Sequence, residues 1–228
     1  MAECFLYNNC NHRHCDDSCC VRKDRVGALL KMSLLPEKHW VRMSLITDFD
    51  GTDLEEFKRL FNIEKNIGDF VSKGYSLFLH SKGSGNGKTS WAIRLVQAYI
   101  NYIWPESDLT ECKALFIHTS RFLQALKDNF SNRNDYAIYI KNHLDEADLV
   151  VWDDIGAEMG SDYDINQLLN FIDRRTNLGK TNVFTSNLNK SELEFKVGTR
   201  LASRIGAGID IELNGKDKRK NTSQVEEY

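Results

Sequence analysis

The glycine-rich segment SKGSGNGKTS lies between a short apolar stretch and a long helical stretch. Gly85, Asn86 and Gly87 can turn their backbone N–H groups towards one point, and such a nest binds an anion. Lys88 adds a cation that can reach terminal phosphates, and Thr89 adds a hydroxyl that can hold Mg²⁺. The segment therefore predicts a phosphate-binding loop. The loop residues that we assign to nucleotide binding are Gly83, Ser84, Gly85, Asn86, Gly87, Lys88, Thr89 and Ser90.

The loop departs at one place from the pattern G-x-x-x-x-G-K-[ST]. Lys82 stands where the first glycine belongs, and Gly83 follows one residue later. The alternative is a glycine-rich turn that only joins a strand to a helix. We favour nucleotide binding because the GKT sequence has a predicted strand before it and a predicted helix after it, which is the context that this chemistry requires.

A second acidic element follows in ADLVVWDDIGAE, where a four-residue apolar strand ends in two carboxylates. Beside a phosphate loop, Asp153 is predicted to hold Mg²⁺ together with Thr89, and Asp154 to orient or deprotonate the attacking water. A strand followed by an ordinary acidic turn is the alternative. The preceding loop makes it the minority interpretation.

Two later segments carry further candidates. Asn187 ends the strand and turn TNVFTSN, where it can hydrogen-bond the attacking water or the γ-phosphate, although asparagine is also a common turn residue. Arg200 and Arg204 stand four residues apart in VGTRLASRIGAG, on one face of a predicted helix. Their spacing alone favours a solvated helix face.

Alternating strands and helices must position these residues. Predicted strands cover Tyr75–Leu79, Ala114–His118, Leu149–Trp152 and Thr181–Thr185. Predicted helices cover the stretch from the N-cap Asp53 to the stop at Gly74, and Lys88–Trp104, Ser120–Phe130 and Asp162–Thr176. This order predicts a three-layer α/β domain with a parallel sheet and a ligand site at the carboxyl edge of the strands.

Composition sets the remaining limits. The 228 residues suffice for one core and a small appendage, and the net charge of -3 excludes a strongly basic nucleic-acid binder. We predict a Cys/His-rich module over residues 1–25, a helix and linker over 26–49, the main nucleotide-binding domain over 50–213 and a mobile polar tail over 214–228. The helix is expected from Val26 to near Pro36, with a connector to Trp40. The amino terminus lacks signal-peptide features, which indicates a cytoplasmic protein without a membrane span.

Four motifs in order, SKGSGNGKTSWA, LVVWDDIGAE, FTSN and GTRLASRI, resemble the ATPase domain of bacterial and phage helicase loaders of the DnaC/DnaI type. That domain belongs to the AAA+ class of P-loop NTPases and is shared with the transposase helper ATPase IstB. The resemblance covers roughly Asp50 to Leu213. It implies Walker A at Lys88 and Thr89, and Walker B at the two aspartates.

The same resemblance implies the catalytic set. Asn187 matches the first sensor, Arg204 matches the arginine finger that enters a neighbouring subunit, and Arg200 is the second candidate. Asp154 stands where many AAA+ proteins carry Glu, so slow hydrolysis is expected, stimulated by assembly or DNA. No helical lid domain is expected, as in other loaders of this type.

The implied partners are the replicative hexameric helicase, single-stranded DNA and further copies of the chain on ATP binding. Ser120 to His143 is a candidate DNA surface, and a core helix with solvated charges explains that segment at least as well. An IstB-like transposase helper is the first alternative function. A small-molecule P-loop kinase is a second and weaker one.

The amino-terminal cysteines form the last feature. Cys4, Cys10, Cys15 and Cys19 are separated by five, four and three residues, with His12, His14 and Cys20 nearby. A tetrahedral Zn²⁺ site is the economical interpretation, because this segment has too little apolar content to fold alone. An iron–sulfur cluster and a cysteine-rich tail without structure are the alternatives. The resemblance suggests that residues 1 to about 40 dock on the helicase.

If Zn²⁺ folds this head, the purified full chain should carry about one Zn²⁺ per molecule, and a chelator should unfold the head while ATP binding persists. Elemental analysis and nucleotide titration before and after chelation measure both. Protein prepared without chelators that contains neither zinc nor iron would contradict the metal site.

Overall fold

The computed structural model of the chain describes residues 4–6, 20–41, 52–157 and 161–217. The helices are α1 (Val21–Met32), α2 (Leu54–Lys65), α3 (Ile67–Ser72), α4 (Lys88–Ile103), α5 (Thr119–Asp128), α6 (Asp135–His143), α7 (Asp162–Asn177) and α8 (Lys190–Ile205). The strands are β1 (Leu77–His80), β2 (Ala114–His118), β3 (Leu149–Asp153), β4 (Thr181–Ser186) and β5 (Ile209–Glu212). A short 3₁₀ helix covers Glu37–His39.

The five strands form one parallel sheet in the order β2-β3-β4-β1-β5. Apolar side chains alternate along the strands, so each face of the sheet supports its own core. In β1, Leu77 and Leu79 pack with α1 to α4, whereas Phe78 between them packs with α5 to α8. The predicted three-layer α/β architecture is thereby confirmed, and the carboxyl ends of β1, β3 and β4 lie side by side.

Some element boundaries differ from those expected. Helix α1 spans Val21–Met32 rather than starting at Val26, and it ends before Leu34, whose φ of 61° no α-helix can continue. The single helix expected up to Gly74 divides at Asn66 into α2 and α3. The sequence prediction also lacked α6 and β5, and β5 has only two apolar residues among four.

Asp53 has a different role from the one predicted. Its side chain makes no capping hydrogen bond to α2. Instead the buried carboxylate accepts hydrogen bonds from the backbone N–H groups of Asn214 and Gly215, each at 2.8 Å. The segment expected to be a mobile tail is therefore held at its first two residues. Residues 218–228 lie outside the described residues.

Beyond β5 the described chain runs only to residue 217 and forms no helix there. In the described ranges, no helix combines the length and apolar content that crossing a membrane requires.

Arg175 on α7 is fully buried and fastens the amino-terminal edge of the sheet. Its guanidinium donates to the Asn182 Oδ1 atom at 2.9 Å, to the carbonyls of Ala147 and Thr181 at 2.8 Å, and to the carbonyl of Leu144. Burial lowers the pKa of Arg175 to about 9, so the side chain still carries its charge at neutral pH. The N–H donors of this one guanidinium thus satisfy four acceptors, and the Asn182 Oδ1 atom also accepts from the Trp152 indole at 3.1 Å.

Arg175→Ala should lower the free energy of unfolding by about 3 kcal/mol or more, because it leaves several buried acceptors without donors. Denaturant titration measures this change. The matched control is Arg174→Ala, since the adjacent Arg174 is exposed and pairs with Asp145 on the surface. That variant should lose less than about 1 kcal/mol. Equal losses in the two variants would contradict the role given to Arg175.

Candidate nucleotide-binding site

The glycine-rich loop joins β1 to α4 at the carboxyl edge of the sheet. Gly85 and Gly87 adopt φ values of 80° and 98°, which only glycine takes without strain, and Gly87 directly precedes the first residue of α4. Lys82 is not among the described non-glycine residues with positive φ. Its replacement of the first loop glycine therefore introduces no backbone strain.

Lys88 places its ammonium inside this loop. The Nζ atom donates to the Ser81 Oγ atom at 2.5 Å and to the Gly83 carbonyl at 2.7 Å, and the residue is only 7% exposed. Ser81 in turn donates to the Gly83 carbonyl at 2.6 Å. The loop is thus wrapped around its own cation, which gives the nest a fixed positive centre.

Asp153 ends β3 and connects the loop with β4. Its Oδ1 atom accepts hydrogen bonds from the hydroxyls of Thr89 at 3.0 Å and Thr185 at 2.7 Å. Burial raises the pKa of Asp153, although both hydroxyls and His118 favour its charged form. The contact unites Thr89 and Asp153, the two residues predicted to hold Mg²⁺, in one oxygen-rich position suited to that ion.

Asp154 and Asn187 meet at the same edge. Asn187 donates its side-chain N–H to the Asp154 Oδ1 atom at 2.9 Å. Asp154 adopts a φ of 60°, a conformation that costs a non-glycine residue about 1–2 kcal/mol. The backbone N–H of Asp154 bonds to the Thr185 Oγ atom at 2.9 Å, and that of Ile155 bonds to the Thr185 carbonyl at 2.8 Å. These bonds offset the strain and aim the second carboxylate at the site.

Comparison with known proteins identifies the fold that carries this site. A family model for the bacterial DnaA ATPase domain matches residues 57–212, which is more than half of the chain. The chain belongs to this family. Its Walker-type loop, acidic strand end and Asn187 lie within the matched range.

The chain is also similar to individual replication proteins. The replicative helicase loader DnaC of Escherichia coli (strain K12) is 27% identical over 137 residues, covering 59% of this chain and 51% of the loader. The chain thus matches about half the length of that relative. The crystal structure of the DnaC helicase loader superposes with a TM-score of 0.61 at 18% identity, covering 78% of this chain and 100% of the other.

A structure of the replication initiator DnaA bound to AMPPCP and single-stranded DNA has a TM-score of 0.56 at 18% identity. It covers 72% of this chain and 47% of the other. These matches confirm the predicted AAA+ P-loop fold and the likeness to DnaC-type loaders. A P-loop fold of the DnaA family with this loop geometry is a nucleotide-binding domain.

The two arginines of this DnaA-family domain lie on the second half of α8. Among the described residues, their hydrogen bonds and ion pairs go to Asp173 of α7 rather than to the loop of their own chain. Helix α8 bends at Gly198, whose φ of 80° and ψ of 155° are not helical. The arginines therefore lie on the short part of α8 that follows this bend.

The start of the carboxyl-terminal segment lies against the loop. Asn86 donates its side-chain N–H to the Gly215 carbonyl. A Cβ atom at Gly85 would overlap the carboxylate of Asp217, so that carboxylate lies directly on the loop backbone. Together with the Asp53 clamp, these contacts hold residues 214–217 across the side of the nest.

The site also contains two loop residues that the sequence predicts and two residues that it does not predict. Ser84 is exposed on the loop, and Ser90 lies in the first turn of α4. Thr185 and His118 were not predicted. Thr185 stands two residues before Asn187 in the FTSN motif, and His118 pairs in register with Asp153 across β2 and β3, which only the strand order reveals.

The candidate DNA surface in Ser120 to His143 is only partly a surface. Phe122 is fully buried in the core, and the Tyr139 hydroxyl donates to the Met32 carbonyl at 2.7 Å. Lys127 pairs with the buried Asp164 at 2.8 Å, and Arg121 stacks on Tyr136 at 4.4 Å. Phe130 is exposed. The aromatic residues of this segment thus serve packing more than they form a stacking platform.

The structure describes two of the five amino-terminal cysteines. Cys10, Cys15 and Cys19 lie outside the described residues, as do His12 and His14, whereas Cys4 and Cys20 are free thiols. Over the described ranges, no three His, Cys, Asp or Glu side chains come together as a metal site. Zinc stays a prediction.

Asp153→Asn should raise the thermal midpoint of the nucleotide-free chain near neutral pH. The folded-state pKa of Asp153 lies above its unfolded value, so its contribution favours folding at low pH and is lost as pH rises through the folded pKa. The midpoint gap between variant and parent should close on acidification. One kcal/mol corresponds to about 2–4 °C for a domain of this size.

Calorimetry over a pH series measures this gap. The same Asp153→Asn protein should lose Mg²⁺-dependent nucleotide binding. A variant that is less stable than the parent at neutral pH would contradict the cost of burial assigned to this carboxylate.

Proposed function

We propose that this chain is an ATP-binding and ATP-hydrolysing loader, which delivers the replicative hexameric helicase onto single-stranded DNA when replication begins. The observation that carries the proposal is the hydrogen bond between Thr89 of the loop and Asp153 of the acidic strand, within a domain similar to the loader DnaC. This contact joins the two residues that Mg²⁺-dependent nucleotide chemistry needs.

The residues divide the work on ATP. The loop N–H groups and Lys88 bind the β- and γ-phosphates, while Thr89 and Asp153 hold Mg²⁺. The Asp154 carboxylate and the Asn187 amide, 2.9 Å apart, position the attacking water. Aspartate reaches less far than the glutamate of many AAA+ proteins, so the chain hydrolyses ATP slowly and needs stimulation by assembly or DNA.

The catalytic arginine comes from a second copy of the chain. Arg204 or Arg200 enters the nucleotide site of a neighbouring chain, where a fixed cation stabilises charge on the transferred phosphoryl group. ATP therefore acts as an assembly switch that promotes a homo-oligomer able to hold single-stranded DNA. The amino-terminal module, residues 1 to about 40, docks on the helicase.

The central experiment uses full-length Lys88→Ala and Asp154→Asn proteins. Lys88→Ala should weaken ATP binding at least about tenfold because it removes the cation at the centre of the nest. Asp154→Asn should bind ATP normally and lose hydrolysis. Fluorescent-nucleotide titration and phosphate release measure the two steps.

The partner is tested with the same proteins carrying an affinity tag. The main co-purifying protein should be the hexameric replicative helicase, and ATP should promote its transfer to single-stranded DNA with the parent but not with Lys88→Ala. Recovery of a transposase in its place would support the transposase-helper function. Transfer of the phosphoryl group to a small acceptor by a monomer would support a kinase. Unchanged ATP affinity in Lys88→Ala would remove the basis of the proposal.

A further inference from the structure

One carboxylate, Asp173 on α7, contacts both arginines of the GTRLASRI segment. The Nε atom of Arg204 lies 2.5 Å from the Asp173 Oδ1 atom, and the Nη2 atom of Arg200 lies 3.4 Å from the Oδ2 atom. The Asp173 side chain is 22% exposed, whereas those of Arg204 and Arg200 are 48% and 76% exposed. A partly shielded acid thus faces two exposed cations.

The two ion pairs differ in the nitrogen that each arginine uses. Arg204 contacts Asp173 through Nε, so this pair occupies neither of its terminal nitrogens. Arg200 uses the terminal Nη2 atom, and at a longer distance. A guanidinium grips phosphate with its terminal nitrogens. Arg204 can therefore keep its contact with Asp173 and bind a phosphate at the same time.

The backbone on both sides of the pair is fixed by packing. Ile172, beside the acid, is buried in the core, as are Leu201 and Ile205 on the helix that carries Arg204. The bend at Gly198 separates this last part of α8 from its first part. Two rigid segments therefore hold the acid and the guanidinium, which leaves the arginine side chain as the main part that Asp173 has to order.

We propose that Asp173 is a positioning residue that aligns Arg204 for the terminal phosphate of ATP bound to a second copy of the chain. Holding the guanidinium through Nε limits its rotamers before assembly, so that less entropy is lost when the phosphate arrives. Arg200 supports the acid from its other oxygen. The inference rests on the proposed function and deepens it, because it selects Arg204 over Arg200.

The test measures ATP affinity and ATP turnover separately in the full chain. Asp173→Asn should bind ATP like the parent at concentrations where the protein is monomeric. Its assembly-stimulated kcat should fall about tenfold or more, because misplacement of a catalytic group by about 1 Å costs up to about 100-fold. Asp173→Glu should restore part of the turnover. Asp145→Asn is the matched control, since it removes another carboxylate–arginine pair, with Arg174, and should leave turnover unchanged.

Mixing of variants tests whether Asp173 acts on the site of a neighbouring chain, and thermal unfolding tests whether its role is merely structural. Lys88→Ala protein has an intact Asp173–Arg204 pair, and Asp173→Asn protein has an intact nucleotide loop. A mixture of the two should show more turnover than the sum of the separate proteins, and Asp173→Asn should unfold at the parental temperature.

Three results would overturn the inference while the proposed function stands. The first is parental turnover by Asp173→Asn. The second is turnover above the parental level, which would mean that Asp173 restrains Arg204 from reaching the neighbouring site. The third is loss of ATP binding in the Asp173→Asn variant. If the parent itself shows no assembly-stimulated hydrolysis, the proposed function fails and the inference fails with it.

Discussion

The buried carboxylate of Asp153 is the point on which the site depends. One of its oxygens accepts hydrogen bonds from the hydroxyls of Thr89 and Thr185. These bonds join the nucleotide loop, the acidic strand β3 and the neighbouring strand β4. Thr185 also accepts the N–H of Asp154. A short chain of hydrogen bonds therefore sets the position of both acids relative to the loop.

This chain of bonds runs across three strands that are adjacent only because of the sheet order. β1 leads into the loop, β3 ends in the acids, and β4 between them supplies Thr185 and leads to Asn187. Parallel strands bring these ends to the same edge, and the apolar cores on both faces hold the strands in register. At the opposite edge, the hydrogen bonds of Arg175 connect the amino-terminal ends of β3 and β4. Both ends of these two strands are therefore held by side-chain hydrogen bonds.

The sequence predicts the loop, the two acids and Asn187 because each follows an apolar strand, and parallel strands bring such positions together. It does not predict the partner of Asp53, which lies 161 positions further along the chain. An aspartate before a helix reads as a cap, and only the fold shows that its carboxylate binds another segment. Asp173 is equally hidden, since one acid on a polar helix surface has no distinguishing spacing. The sequence does not predict β5, because a strand of four residues with two polar positions carries almost no periodic signal.

Asp53 and Asn86 together hold the segment after β5 against the nucleotide loop. It lays Asp217 directly on Gly85, so a carboxylate already occupies the rim of an anion-binding loop. Incoming phosphate brings more negative charge to the same few ångströms, and like charges repel there. A phosphate in the loop therefore raises the electrostatic energy of the segment that carries Asp217, and this cost opposes the contact of that segment with Gly85.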